Sequence, residues 1–225
     1  MDADGVNELK RAGLELRRDA EGLILEGDGM RLRASFDDMK RRLLHGRLNG
    51  ELLVRAARVK GVAAPTLVDA TAGLGQDSLL LAAAGFSVTL LECNSIIAAM
   101  LADAVEQARR DPELADVAGR MRVIEGDSLK ALRELSTPPD VVYLDPMFPG
   151  RSKSAAVKKK FQLLHRLEAP CEDETALLEA ARAAHPRKIV IKRPVKGSYL
   201  AGIKPDYTLQ GKAVRYDCIV MARES

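Results

Sequence analysis

Four consecutive residues, Asp145-Pro146-Met147-Phe148, carry the most specific chemistry in this 225-residue chain. They follow the apolar run Val141-Val142-Tyr143-Leu144, which reads as a buried strand. A carboxylate, a proline carbonyl and an aromatic ring in this order suit one task, holding a flat base by its exocyclic NH2 group. Such an amine is a poor nucleophile because its lone pair is delocalised into the ring. Two hydrogen-bond acceptors aimed at its N–H bonds localise that pair and fix the line of attack. Asp145 supplies a carboxylate oxygen, and Pro146 supplies a backbone carbonyl held by the fixed φ of its ring. Phe148 supplies a face on which the base stacks outside its helix. Asp145 also suits the removal of a proton after transfer, since the amine turns strongly acidic only once alkylated.

A donor must face that amine, and a second motif provides its place. Asp69-Ala70-Thr71-Ala72-Gly73-Leu74-Gly75 follows a strand-like segment, and Asp69, Gly73 and Gly75 are expected cofactor contacts. In open α/β sheets, ligands bind beyond the carboxyl ends of the strands, where the strand order reverses. Gly73 and Gly75 allow a tight turn and close approach to a ligand. The helix that starts at Gln76-Asp77 directs its free N–H groups at the bound molecule. Glu92 ends the next strand, placed to accept hydrogen bonds from ribose hydroxyls. Cys93 suits the wall of an adenine pocket or ordinary core packing. Asp127 and Ser128 follow the third strand and suit an acceptor for an adenine amino group, a helix N-cap, or both. A dinucleotide fingerprint would want a third glycine where Ser78 stands; Asp69-x-x-x-Gly73-x-Gly75 is closer to the S-adenosylmethionine version. A sulfonium donor needs no metal activation, and the three histidines lack metal-ligand spacing.

These motifs require strand ends gathered on one sheet edge, and the chain has that rhythm. Strands are expected at Thr66–Ala70, Ser87–Leu91, Met121–Ile124, Asp140–Leu144 and Lys188–Lys192. Helices are expected at Gln76–Ala84, Ser95–Arg109, Ser128–Leu135 and Thr175–Ala184. Tyr207–Gln210 and Ala213–Met221 form a hairpin across Gly211-Lys212. The expected fold is therefore α/β, a Rossmann-like, mostly parallel sheet with an antiparallel C-terminal hairpin, as in class I SAM-dependent methyltransferases. Ahead of it, Leu14–Ala34 reads as a short antiparallel meander, and Asp37–Val59 as one or two helices with Asp37 at the N-cap. The expected division is a small N-terminal α+β module over 1–62 and a methyltransferase domain over 63–225.

Arg151, Lys153, Lys158, Lys159, Lys160, His165 and Arg166 follow the tetrad with no acidic residue among them. That segment is expected to meet phosphates beside a flipped base. A second basic stretch, from Arg31 to Lys60, is expected to dock RNA. Lys192 and Arg193 end the fifth strand on the catalytic edge and suit either a phosphate contact or a brace for the loop around Asp145. The net charge of +3 is too mild to demand a polyanionic partner. Cys93, Cys171 and Cys218 are odd in number and far apart, as expected of reduced thiols in a cytoplasmic protein. No apolar run reaches the length of a membrane span, and the N-terminus, with Asp2, Asp4 and Glu8, does not read as a signal peptide.

The chain resembles the RsmJ family, bacterial methyltransferases of 16S (small-subunit) ribosomal RNA that modify a guanine N2 amine. The resemblance rests on Val68 to Gly75, on Val141 to Pro149, and on Lys153-Ser154-Ala155, Val157-Lys158-Lys159 and Val190 to Pro194. It implies the class I fold, S-adenosylmethionine as donor, and cofactor contacts at Gln76, Asp77, Glu92, Cys93, Asp127, Ser128 and Asp145. It also implies small-subunit ribosomal RNA or the 30S particle as partner; a monomer is the default state. The chain departs from the family pattern at Gln76, where arginine is commoner, and at Cys93, where a basic residue is usual. Its Gly-rich basic stretch is thinned to Gly46-Arg47-Leu48-Asn49-Gly50, and Val195-Lys196-Gly197-Ser198 replaces a Pro-rich run. The competing readings are an amino methyltransferase acting on adenine N6 or a protein amide, and a non-catalytic RNA-binding factor.

Overall fold

The computed structural model describes residues 3–43, 45–146, 162–167, 171 and 173–222. Its strands are β1 (Glu15–Asp19), β2 (Gly22–Gly27), β3 (Met30–Leu32), β4 (Thr66–Asp69), β5 (Ser87–Glu92), β6 (Met121–Glu125), β7 (Val141–Leu144), β8 (Lys188–Pro194), β9 (Tyr207–Gln210) and β10 (Val214–Val220). Its α-helices are α1 (Ala3–Ala12), α2 (His45–Leu48), α3 (Leu52–Ala57), α4 (Gln76–Ala83), α5 (Ser95–Arg110), α6 (Ala115–Ala118), α7 (Ser128–Arg133) and α8 (Glu174–Ala183). Seven strands form one sheet in the order β6-β5-β4-β7-β8-β10-β9. β4 to β8 pair in parallel, and β10 runs antiparallel to both β8 and β9. The chain winds outward from β4 through β5 and β6, then returns to start again at β7 on the other side. The strand order thus reverses between β4 and β7, the place where a ligand crevice opens.

Strand alternation decides which side chains share a face. In β7, Val141 and Tyr143 join the core beneath α4 and α5, while Val142 and Leu144 join the core beneath α7 and α8. All four are buried, as a central parallel strand covered on both faces requires. By the same alternation Asp145 continues the Tyr143 side and Lys192 continues the Val190 side, both toward α4.

The meander β1-β2-β3 forms as expected and packs on α5. Asp103 of α5 holds it, accepting hydrogen bonds from Leu23 N (2.8 Å) and Arg18 Nη1 (2.7 Å). One buried cluster runs from Leu25, Leu32 and Phe36 through Leu53 and Ala56 to Leu79, Met100 and Leu101, so hydrophobic packing does not break at residue 62. Two local expectations change. Asp37–Arg42 is a 3₁₀ turn with Phe36, not Asp37, at its N-cap; Asp37 instead exchanges hydrogen bonds with Ser35 Oγ. Helix α1 was not evident in the sequence, because it buries only a narrow stripe around Gly5 and Leu9. Among the described residues, no helix is long and apolar enough to cross a membrane.

Candidate active site

The loop after β4 is held from below by its own acid. Asp69 is 1% exposed; its Oδ1 accepts from Thr71 N (3.1 Å) and its Oδ2 from Ser78 Oγ (2.6 Å). Burial pushes its carboxyl up to about 7, against the pull of these hydrogen bonds. Asp69 therefore shapes the loop from inside, a correction to its expected place as a cofactor contact. Glu92, at the end of β5, holds the loop from the side. Its Oε2 accepts from Gly73 N and its Oε1 from Asn94 N, both at 2.9 Å. Gly73 has φ +53° and Gly75 φ +73°, left-handed values that favour glycine. A Cβ on Gly75 would lie 2.6 Å from Leu101 Cδ1, whereas one on Gly73 would meet nothing within 4 Å.

That open side of Gly73 borders a cavity of about 810 Å³. Thr71, Gly73, Glu92, Cys93, Ile97, Ser128, Leu129, Asp145, Pro146 and Leu177 line it, with Asp4 and Glu8 of α1 at its rim. Asp127 caps α7 by accepting from Leu129 N (2.8 Å), the capping half of its expected role, and leaves Ser128 and Leu129 on the wall. Asn94 caps α5 through Oδ1, which accepts from Ile96 N and Ile97 N. Its Nδ2 donates to Glu8 Oε1 (2.8 Å) and to Leu167 O (3.1 Å), joining α1 and the 162–167 segment beside the cavity. Sequence reasoning passed over Asn94, although an Asn directly before an apolar-periodic run is an N-cap signal.

The two motifs touch directly. Asp145 N donates to Thr71 Oγ1 at 2.7 Å, so the end of β7 is fixed to the loop after β4. Pro146 is buried beside it. Across from them, Lys192 Nζ lies 2.8 Å from Asp145 Oδ2 and 2.6 Å from Asp77 Oδ2. Tyr143 donates its hydroxyl to the same Asp77 oxygen at 2.6 Å. Asp77 thus ties α4 to β7 and β8. Gln76 is exposed, and neither it nor Asp77 is part of the cavity wall.

The basic residues divide sharply. Phe148, Arg151, Lys153, Lys158, Lys159 and Lys160 lie outside the described residues. Arg193 was a candidate phosphate contact, but it is 2% exposed. Its guanidinium donates to Ser198 O (2.7 Å), Ser198 Oγ (3.1 Å) and Glu174 Oε1 (3.2 Å). It braces the 194–198 turn from inside, enclosed between Ser198 and Glu174 of α8. Lys192 is likewise turned onto carboxylates, which corrects its expected RNA contact in favour of the brace. Much of the N-terminal basic stretch is engaged within the protein. Lys40 pairs with Asp111 (2.6 Å), Arg42 with Glu51 (2.9 Å) and Arg31 with Glu26 (2.7 Å), while Arg41, Arg47, Arg55 and Lys60 are exposed.

The donor set fits S-adenosylmethionine. A glycine with open space in place of a Cβ, a carboxylate at the second strand end and the apolar Ile97, Leu129 and Leu177 suit a nucleoside bearing a flexible charged tail. The strand order and the place of the pocket define the class I SAM-dependent methyltransferase fold. Over residues 8–221 the chain matches the family model described as "Putative SAM-dependent methyltransferase". It is 46% identical over 170 residues to the ribosomal RNA small subunit methyltransferase J of Pseudomonas aeruginosa strain LESB58, a match covering 75% of this chain and 65% of that relative. It is 42% identical over 214 residues to the protein of the same name from Thioalkalivibrio sulfidiphilus, covering 88% of this chain and 84% of that one. A crystal structure of a SAM-dependent methyltransferase from Neisseria gonorrhoeae superposes with a TM-score of 0.76 at 30% identity, over 100% of this chain and 94% of that one. The chain belongs to the ribosomal RNA small subunit methyltransferase J family.

Proposed function

We propose that this chain transfers a methyl group from S-adenosylmethionine to the exocyclic N2 amine of a guanine in small-subunit ribosomal RNA. The observation that carries the reading is the 2.7 Å hydrogen bond from Asp145 N to Thr71 Oγ1. It sets the acceptor carboxylate and Pro146 on the wall of the cavity that the Gly73 loop opens. When bound, S-adenosylmethionine supplies an electrophilic methyl carbon. Glu92 accepts from the ribose hydroxyls, and Gly73 lets the backbone approach the ligand. Asp145 and the Pro146 carbonyl grip the two N–H bonds of the amine and turn its lone pair toward the cavity. Such positioning contributes several kcal/mol once the reacting atoms are in near-attack contact. Asp145 then accepts the proton that the methylated amine sheds.

Guanine in small-subunit ribosomal RNA is preferred over adenine because the family relatives carry that RNA in their names and the resemblance at Val141 to Pro149 points to the guanine amine. Naked RNA and the 30S particle are both open as the form of the substrate. We further assign phosphate contact to Arg151, Lys153, Lys158, Lys159 and Lys160, base stacking to Phe148, a cytoplasmic setting and a monomeric state. The test incubates the protein with methyl-labelled donor and either purified small subunits or naked ribosomal RNA, then digests the product to nucleosides. Label in N2-methylguanosine is the expected result. Label in N6-methyladenosine, or none in RNA, would overturn the proposal.

A further inference from the structure

Lys192 stands at the end of β8 with two carboxylates on one side chain that is only 19% exposed. A basic residue on the catalytic edge of an RNA-modifying enzyme would ordinarily be assigned to phosphate. The geometry is different here. Its Nζ bridges Asp145 Oδ2 and Asp77 Oδ2, and Tyr143 donates to that Asp77 oxygen from the neighbouring strand. Tyr216 of β10, opposite Lys192 in register, adds a buried phenol to the group.

Building on the methyl-transfer reading above, we propose that Lys192 is a positioning residue that holds the Asp145 carboxylate ionised and in fixed rotation for the substrate amine. The need for it follows from the charges around Asp145. Asp77 from α4 and Asp69 from β4 are acids, and Tyr143 from β7 and Tyr216 from β10 are phenols facing the same carboxylates. Lys192 from β8 is a cation in direct contact with Asp145, and the Arg42 guanidinium acts on Asp77 and Tyr216 of the same group. Without it, crowding by like charge and burial would favour a protonated Asp145, and a protonated carboxyl loses acceptor capacity. Burial works against the charged form of Lys192, but Asp77 and Asp145 outweigh it and raise its pKa. The cation therefore persists through the pH range in which the enzyme would operate.

The test is the pH profile of single-turnover methyl transfer at saturating donor, with RNA and donor affinities measured alongside. Wild-type activity on RNA comes first, and its absence would reject the underlying function rather than this inference. In Lys192→Gln the acid limb should move up by ~1 to 3 pH units, the range expected when an opposite charge is removed from a carboxylate. RNA and donor dissociation constants should stay within about threefold, since RNA register rests on phosphate contacts that this side chain does not make. Lys192→Arg should return the acid limb to its wild-type position even if the rate at the plateau falls. Should Lys192→Gln fail to fold, Asp77→Asn gives the opposite shift, because Lys192 then serves Asp145 alone and the acid limb moves down. An unshifted acid limb in the folded variants, or RNA affinity weakened more than tenfold with a shallower salt dependence, would return Lys192 to phosphate binding and overturn the inference.

Discussion

The donor side and the acceptor side of the crevice are built by different means. On the donor side, beyond β4, β5 and β6, carboxyl side chains accept from backbone N–H groups of the same strand-turn units. Glu92 reaches Gly73 and Asn94, Asp69 reaches Thr71, and Asp127 reaches Leu129. On the acceptor side, beyond β7, β8 and β10, cations link side chains and carbonyls of different elements. Lys192 joins Asp77 to Asp145, Arg193 joins Glu174 to Ser198, and Arg215 joins Asp217 to the carbonyls of Pro194, Val195 and Gly197. A site for a small ligand is set by a loop that carries its own clamps. A site for a base needs a rigid wall, and buried ion pairs supply rigidity at the cost of desolvation. The two sides meet at the hydrogen bond from Asp145 N to Thr71 Oγ1 and at Asp77, which takes Tyr143 and Lys192.

If the sides are separate devices, damage to one should spare the other. The largest effect on donor affinity is expected from Glu92→Ala, which removes a charge-assisted hydrogen bond to Gly73 N of the donor loop and another to Asn94 N of the turn into α5. The bond to the loop contributes about 1.5–3 kcal/mol, so donor affinity should fall roughly 10- to 100-fold. Titration calorimetry measures this; a loss under threefold would remove Glu92 from the donor site. Next is Gly75→Ala, where a new Cβ meets Leu101 and Leu90 under a left-handed φ. Overpacking and strain together should cost about 2–4 kcal/mol in denaturant unfolding. Gly73→Ala should cost only the strain, about 1–2 kcal/mol. Equal losses for the two glycines would show that Leu101 does not crowd this loop.

A further effect concerns pH. Asp69 has a folded-state pKa of about 7, raised by burial above its unfolded value. The folded protein therefore binds more protons at this site than the unfolded chain between about pH 4 and 7. Stability contributed here is complete below that window and is lost as pH rises through it, by at most about 1.4 kcal/mol per pH unit. Asp69→Asn should flatten that part of the stability–pH curve while its side chain still serves Thr71 and Ser78. An unchanged slope would show that Asp69 is ionised throughout.

The same contrast explains what could be read from the sequence. The order of strands and helices from Thr66 to Val220 was legible because apolar periodicity and Gly-Pro punctuation are local signals. Glu92 and Gly73 were legible for the same reason, being 19 residues apart within one strand-turn unit. Lys192 and Asp77 are 115 residues apart, and only the sheet order brings them together. Arg193 misled because a basic residue on a catalytic edge resembles a phosphate contact until Glu174 and Ser198 are brought onto it. Asp69 misled because its position in the motif does not reveal that both oxygens turn inward. Helix α1 escaped notice because one buried stripe in ten residues gives little periodicity.

The central claim is that Asp145 acts on the acceptor amine while the donor is held elsewhere. Asp145→Ala tests it most directly, with single-turnover methyl transfer to small-subunit ribosomal RNA and donor affinity measured on the same preparation. The account predicts transfer reduced by more than about 10³-fold, toward the upper part of the range for a positioned acid–base group, with donor affinity within about tenfold of wild type. Transfer at the wild-type rate, or donor binding lost together with transfer, would contradict it.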